Sequence, residues 1–245
     1  MSRRVRQVEN AIEAVNHGSL VLGLKCSDGA LLFAEREDQS KLLEQQQEKI
    51  YKIDKHIMTG VVGVNSDSNT LVTRSRHQAQ GHLKTFNSPI ETEKLVNYVA
   101  HFKHLYTQYG GMRPYGVSML IVGYDEATSE FQLFRTDPAG NYDAWRATCI
   151  GKSEQVKIGR DILKTSLADG ATLDLDQGIR AALKVLSKIK ESNIDCADKI
   201  ELATLKVVNG EPTIKIYTIP EIKEKLVENK DLFKKDDDSS DEDDE

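Results

Sequence analysis

Residues 19–35, SLVLGLKCSDGALLFAE, hold two apolar runs of strand length, 19–26 and 30–35, on either side of Ser27-Asp28-Gly29. A glycine there can take positive φ without steric cost, so the stretch predicts a β-hairpin.

Working outward, residues 5–16 place Val8, Ile12 and Val15 at helical spacing between Arg and Glu, and His17-Gly18 ends the pattern. A short amphipathic helix therefore precedes the hairpin. Downstream, residues 50–53 and 57–64 read as strands around an Asp54-Lys55 turn, and Asp67 or Ser68 is placed to cap the next helix. A second helix carries Leu95, Val99, Phe102 and Tyr106 on one face and is broken by Gly110-Gly111 and Pro114.

Strands at 117–124, 131–134 and 145–150 follow in series and predict an antiparallel meander. Helices at 153–167 and 174–190 come next, the latter with Leu175, Ile179, Leu183 and Leu186 in one stripe. Strands at 199–208 and 213–218 lead to a last helix through Val227, with Pro220 as its first residue. Strands in groups with helix pairs between them imply stacked antiparallel sheets under helices, an α+β four-layer αββα sandwich.

The 245 residues suit one large domain with a sizeable core, 39% of them hydrophobic and 29% charged. No apolar run reaches the ~18 residues that span a bilayer, and MSRRVRQVEN has no apolar signal core. The expected address is cytoplasm and nucleus, with no membrane partner. Cys26, Cys149 and Cys196 form no CxxC and lie far from any His pair, so neither disulfides nor a metal site are expected. The six His residues show no HExxH; His77, His82, His101 and His104 read as surface helix residues. Gly23, Gly29, Gly60 and Gly63 make no phosphate loop, and no cofactor is expected.

The net charge of -6 comes from the C-terminus, where residues 236–245 (DDDSSDEDDE) hold 8 of the 39 acids. The remaining 31 acids stand against 33 bases, which gives no support to a nucleic-acid partner. Such a block repels itself and has nothing apolar to bury, so the expected organisation is one domain over 1–233 and a disordered acidic tail over 234–245. Ser239 and Ser240 each precede an acid by three residues, Glu242 and Asp243, a pattern acidophilic kinases use for phosphorylation.

Residues 106–118, YTQYGGMRPYGVS, resemble the signature of proteasome alpha-type subunits. QVENAIEAVNHGS at 7–19, EKIYKID at 48–54 and DPAGNYDAWRATCIG at 137–151 extend the likeness over nearly the whole body. MSRR, LKTFNSPI at 83–90 and the GNYDAW stretch are most similar to the subunit at the third alpha position of the eukaryotic ring. The resemblance implies the N-terminal nucleophile hydrolase fold and a non-catalytic subunit of the 20S core. Such a subunit supports ubiquitin-dependent and ubiquitin-independent degradation through ring assembly and gating. Implied partners are the other alpha subunits of a heptameric ring, the beta subunits, and a regulatory ATPase ring or other activators.

One departure concerns the start, where family members carry a further stretch with a Tyr-Asp pair and a Ser-Pro-acid-Gly turn. Here Arg4 runs directly to Gln7, and Asn10 replaces the family tyrosine, so the axial-gate elements are expected to differ.

Catalytic members of this fold attack with an N-terminal hydroxyl whose own α-amine takes the proton. Resemblance aligns that position with Ser19, the catalytic aspartate with Glu35 and the lysine with Lys49, so the alternative is an autoprocessed serine hydrolase beginning at Ser19. The helix before it and the serine in place of threonine oppose that alternative, and no catalytic residue is assigned. Resemblance also places Lys49 in a pocket between ring neighbours that receives the C-terminal carboxylate of an activator, with Glu9, Gly18, Gly63 and Val64 lining it. Arg113 and Pro114 are expected to serve the fold, the arginine held by a nearby carboxylate.

Overall fold

A computed structural model of the chain describes residues 3–36, 42–43, 47–109, 111–189 and 197–233. The opening hairpin is present as β1 (Val21–Lys25) and β2 (Gly29–Glu35), with Val21 opposite Ala34 and Lys25 opposite Ala30. Gly29 does not use positive φ, however, and its smallness is what counts. A Cβ there would lie 2.4 Å from Leu175 Cδ1 and 2.5 Å from the Leu205 carbonyl oxygen.

Two antiparallel five-stranded sheets follow from this start. The first orders β10-β9-β2-β1-β8, with β8 (Ala147–Ile150), β9 (Ile200–Val208) and β10 (Glu211–Ile216). The second is a meander of β3 (Ile50–Asp54), β4 (Ile57–Gly63), β5 (Val117–Asp125), β6 (Glu130–Thr136) and β7 (Tyr142–Ala144).

The expected three-strand meander therefore needs correction at its end. Residues 145–150 are not its third strand: β7 takes that place beside β6, and after Trp145 the chain crosses to pair Ile150 with Val21 in the other sheet. Cys149 and Ile150 are drawn there because the crossing buries both completely or nearly so, on opposite faces of β8.

Between the sheets, Val21, Ala30 and Leu32 pack with Met58, Leu120, Val122 and Leu133. Each fully buried Leu or Met here contributes roughly 1.5–3 kcal/mol over exposure, which explains why both strands of the hairpin are apolar on consecutive residues. The outer face of the first sheet is covered by α4 (Ser153–Ser166), α5 (Leu175–Ile189) and α6 (Ile219–Glu228). That of the second is covered by α2 (Asn65–Phe86) and α3 (Thr92–Gln108). The layers are αββα. At the start of α6 the Thr218 N–H donates to Glu221 Oε2 at 2.8 Å, and Pro220 is the second residue of the helix, after Ile219, one place later than expected.

The N-terminal helix, α1 (Arg3–Asn16), stands outside this layering. It lies against β4 and β5, and Val15 reaches into the core between the sheets. The helix thus closes one end of the sandwich.

At the start of α2 the expected cap is corrected. Val64 holds the cap position without a side-chain hydrogen bond, and Asp67 and Ser68 lie inside the first turn. Asp67 is taken instead by Arg113, because a bidentate charge-assisted pair is stronger than a neutral backbone cap. Cys26 and Cys149 are free, buried thiols, both pushed up to about 12 by burial. Cys196, Ser239, Ser240 and the acidic tail lie outside the described residues. Among the described residues no helix is long and apolar enough to cross a membrane.

Candidate functional site

The turn Asn16–Ser19 carries the chain from α1 into β1, and its close packing fixes the site. The Gly18 N–H donates to the Val15 carbonyl at 3.0 Å, and the Lys152 N–H donates to the Gly18 carbonyl at 2.9 Å. A Cβ on Gly18 would lie 2.5 Å from Val62 Cγ1, so the turn presses on β4 in a way no larger residue permits. Ser19 is consequently buried, 2% exposed.

Its side chain is fully engaged. Ser19 Oγ donates to the backbone carbonyl of Glu35 at 2.8 Å, and Lys49 Nζ donates to Ser19 Oγ and, at 3.3 Å, to the Ser19 carbonyl. The Glu35 carboxylate, also buried, accepts from Gln155 Nε2 at 3.1 Å. The three residues aligned with a catalytic set do come together. The hydroxyl proton, however, points to an amide carbonyl, which cannot take it, and the Ser19 nitrogen is in a peptide bond. The arrangement holds the junction; it does not activate a nucleophile.

Lys49 is itself positioned by a residue the sequence reading missed. Glu201, 6% exposed, accepts from the Lys49 N–H at 3.0 Å and the Ile50 N–H at 2.9 Å, and also from Arg36 Nε at 2.7 Å. It shares the inner face of β9 with Ala203 and Leu205. One carboxylate thus ties the start of β3 and the end of β2 to β9.

Beside this junction is a pocket of about 120 Å³ lined by Gly18, Arg36, Glu48, Lys49 and Gly63, among others. Three of the residues proposed from sequence therefore meet: Lys49, Gly18 and Gly63. Two do not. Glu9 is exposed on α1, and Val64 is 39% exposed beyond the pocket lining. Arg36 is the second missed residue, a further cation at the same pocket.

The signature segment builds one wall. Gly63 has φ +129°, and a Cβ on it would lie 2.0 Å from the Gly116 carbonyl oxygen. That carbonyl accepts from the Val64 N–H at 2.9 Å, while the Gly116 N–H donates to Asp67 Oδ2 at 3.1 Å. Arg113 holds the same carboxylate, and its hydrogen bonds keep the Asp67 carboxyl below the usual range against the opposing effect of burial. The expected role of Arg113 in the fold is thus what the geometry shows.

A third missed residue is Lys103 on α3, completely buried, with Nζ donating to the Val117 carbonyl at 3.0 Å. Burial brings its ammonium down to about 7. It binds α3 to the first residue of β5, near the end of the signature segment. No cluster of His, Cys, Asp and Glu that could hold a metal occurs among the described residues.

Two stacked antiparallel sheets under helices define the N-terminal nucleophile class of fold. Here a buried hydroxyl stands at the entrance to the first strand and a lysine contacts it, the class's set of positions in closed form. Comparison with known proteins agrees. The model of the family described as proteasome subunit matches residues 15–205. Proteasome subunit alpha type-3 of Saccharomyces cerevisiae is 38% identical over 98% of this chain and 93% of its own length. Probable proteasome subunit alpha type-3 of Schizosaccharomyces pombe is 40% identical over 91% and 90%, and proteasome subunit alpha type-4 of Drosophila melanogaster 38% over 92% and 85%. The chain belongs to the proteasome subunit family, and within it to the alpha type. It is a non-catalytic structural subunit of the 20S core, and the serine-hydrolase alternative is not favoured.

Proposed function

We propose that this subunit occupies the third alpha position of a heptameric ring in cytoplasm and nucleus, between other alpha subunits and above the beta ring, and docks activators through the Lys49 pocket. The names of the relatives, type-3 and type-4, support the ring position. The docking role is carried by one observation: Gly18, Lys49 and Gly63, far apart in sequence, line a single pocket with a cation at it. An activator's terminal carboxylate entering there meets Lys49 and Arg36 in a partly desolvated setting, where a charge-assisted hydrogen bond contributes roughly 1.5–3 kcal/mol. Glu9 and Val64, outside this lining, have their place in the proposal only as surface that an activator could touch. Phosphorylation of Ser239 and Ser240 would add charge to an already acidic tail and is proposed as a modification, not as part of docking.

The test is Lys49→Ala in assembled core particles, with activator affinity measured directly. Assembly should be retained and affinity should fall roughly ten- to a hundredfold. Unchanged affinity would remove Lys49 from docking.

A further inference from the structure

A second cavity, of about 480 Å³, opens between the C-terminal end of α1, the end of β8 and one face of α4. Its character is cationic. Lys157, Arg160 and Lys164 follow one another along α4 at spacings of three and four, which puts them on one helix face. Arg135 joins them from β6, and Asp161 is the one acid in the lining.

None of the four cations makes a hydrogen bond or an ion pair among the described residues. For surface lysines that would be ordinary. For the two arginines it is not, because both are half-buried and Arg160 Nε is wholly shielded from solvent without a partner. Arg135 is destabilised as a cation first by burial and next by the charge of Arg160, with Asp137, two residues along the chain, and Asp143, directly opposite it on β7, opposing. The one other half-buried arginine among the described residues, Arg36, is held by Glu201. A shielded guanidinium N–H left unmet is unfavourable, which an incoming anion offsets.

The shape and charge narrow the ligand. The volume lies in the range of small-molecule sites, and no aromatic side chain lines the cavity to grip a ring. Guanidinium forks match the oxygens of phosphate, and a compact anion with several charges uses four cations crowded around one space better than a single carboxylate does.

We propose that this cavity binds the polyphosphate portion of a small molecule, a group carrying two or more phosphoryls, between Arg135, Arg160, Lys157 and Lys164. The site is separate from the Lys49 pocket and does not rest on the docking role of that pocket. Cys149 adjoins it, but a thiol pushed up to about 12 by burial contributes no covalent chemistry.

Inorganic tripolyphosphate is the probe, titrated at physiological ionic strength into core particles containing this full chain. Arg160→Gln and Arg135→Gln particles serve alongside, with Arg160→Lys as a charge-retaining control. The expected result is saturable binding that weakens at least tenfold in each Gln variant and is partly kept in Arg160→Lys. Absence of saturable binding, or equal binding by the Gln variants, overturns the proposal. So does binding by the isolated chain that disappears in the particle, since a neighbouring subunit would then be the natural occupant. A polyglutamate peptide that binds more tightly than tripolyphosphate also overturns it, in favour of an acidic protein segment.

Discussion

Arg113 closes on Asp67 through two parallel hydrogen bonds, Nη1 to Oδ2 at 2.6 Å and Nη2 to Oδ1 at 2.7 Å. The carboxylate is buried and the guanidinium largely exposed, 7% against 64% for the side chains, so the two ends of the pair are not equivalent. Removing Arg113 strands a buried charge, whereas removing the charge on Asp67 leaves an exposed cation in water. Arg113→Ala should therefore destabilise by about 1–3 kcal/mol, and Asp67→Asn with Arg113→Ala together by less than the sum of the two. Urea midpoints of the four proteins of the cycle measure it.

The same pair sets an acid limit. Asp67 has a folded pKa below its unfolded value of about 3.9, so its contribution is complete above that value and is lost as pH falls through the lowered one. Acid unfolding of Asp67→Asn should lack this component, visible as a flatter stability profile below pH ~4.

Lys103 predicts the opposite end of the pH scale. Its folded pKa, about 7, lies below the ordinary lysine value, so between the two the unfolded chain holds the extra proton. Stability should rise with pH from about 7 to about 10.5, and below 7 Lys103 adds no further slope. Lys103→Met should remove this rise and leave the protein as stable or more so at neutral pH, since an apolar side chain of similar length is spared the desolvation. Thermal midpoints at pH 7 and pH 9 for both proteins decide it; parallel curves would exclude the buried-amine account.

Gly63→Ala combines a strained φ of +129° with a contact 2.0 Å from the Gly116 carbonyl. The backbone must shift, and with it the wall of the Lys49 pocket. We expect a loss of at least ~2 kcal/mol and reduced incorporation into core particles. Gly210→Ala, also at positive φ but with nothing within 4 Å, should cost less.

Ser19→Ala should leave peptide hydrolysis by the assembled core unchanged, because Ser19 Oγ is held by Lys49 and by the Glu35 carbonyl. Intact-mass measurement should find the residues before Ser19 still attached. A particle whose chain begins at Ser19 and is labelled there by an epoxyketone would contradict the closed geometry.

What the sequence disclosed and what it withheld divide along chain distance. The hairpin around Asp28, the stripe of α5 and the proline start of α6 are local patterns, and each is where its periodicity put it, the proline to within one residue. The crossing after Trp145 was not legible, because β7 is only three residues long and the choice of partner sheet depends on β1, over a hundred residues earlier. Glu201 was hidden for the same reason: its donors are separated from it by 152 residues at Lys49 and 165 at Arg36. Lys103 left a trace. It falls four residues after Val99 and seven after Val96, on the buried face of α3, where a lysine needs an explanation. The pocket is legible through likeness rather than spacing, and likeness attaches Lys49 to two sites at once. Both assignments concern the same side chain, since it touches Ser19 and also lines the pocket.

The placement of α1 has a mechanical implication. Val15 sits in the seam between the two sheets and Gly18 is wedged against Val62, so the segment ahead of Ser19 acts as a cork. Severing the chain at that junction would do more than liberate an amine: it would unseat an apolar plug and let water into the middle of the molecule. In this subunit, the maturation step that arms a catalytic relative would be a route to unravelling.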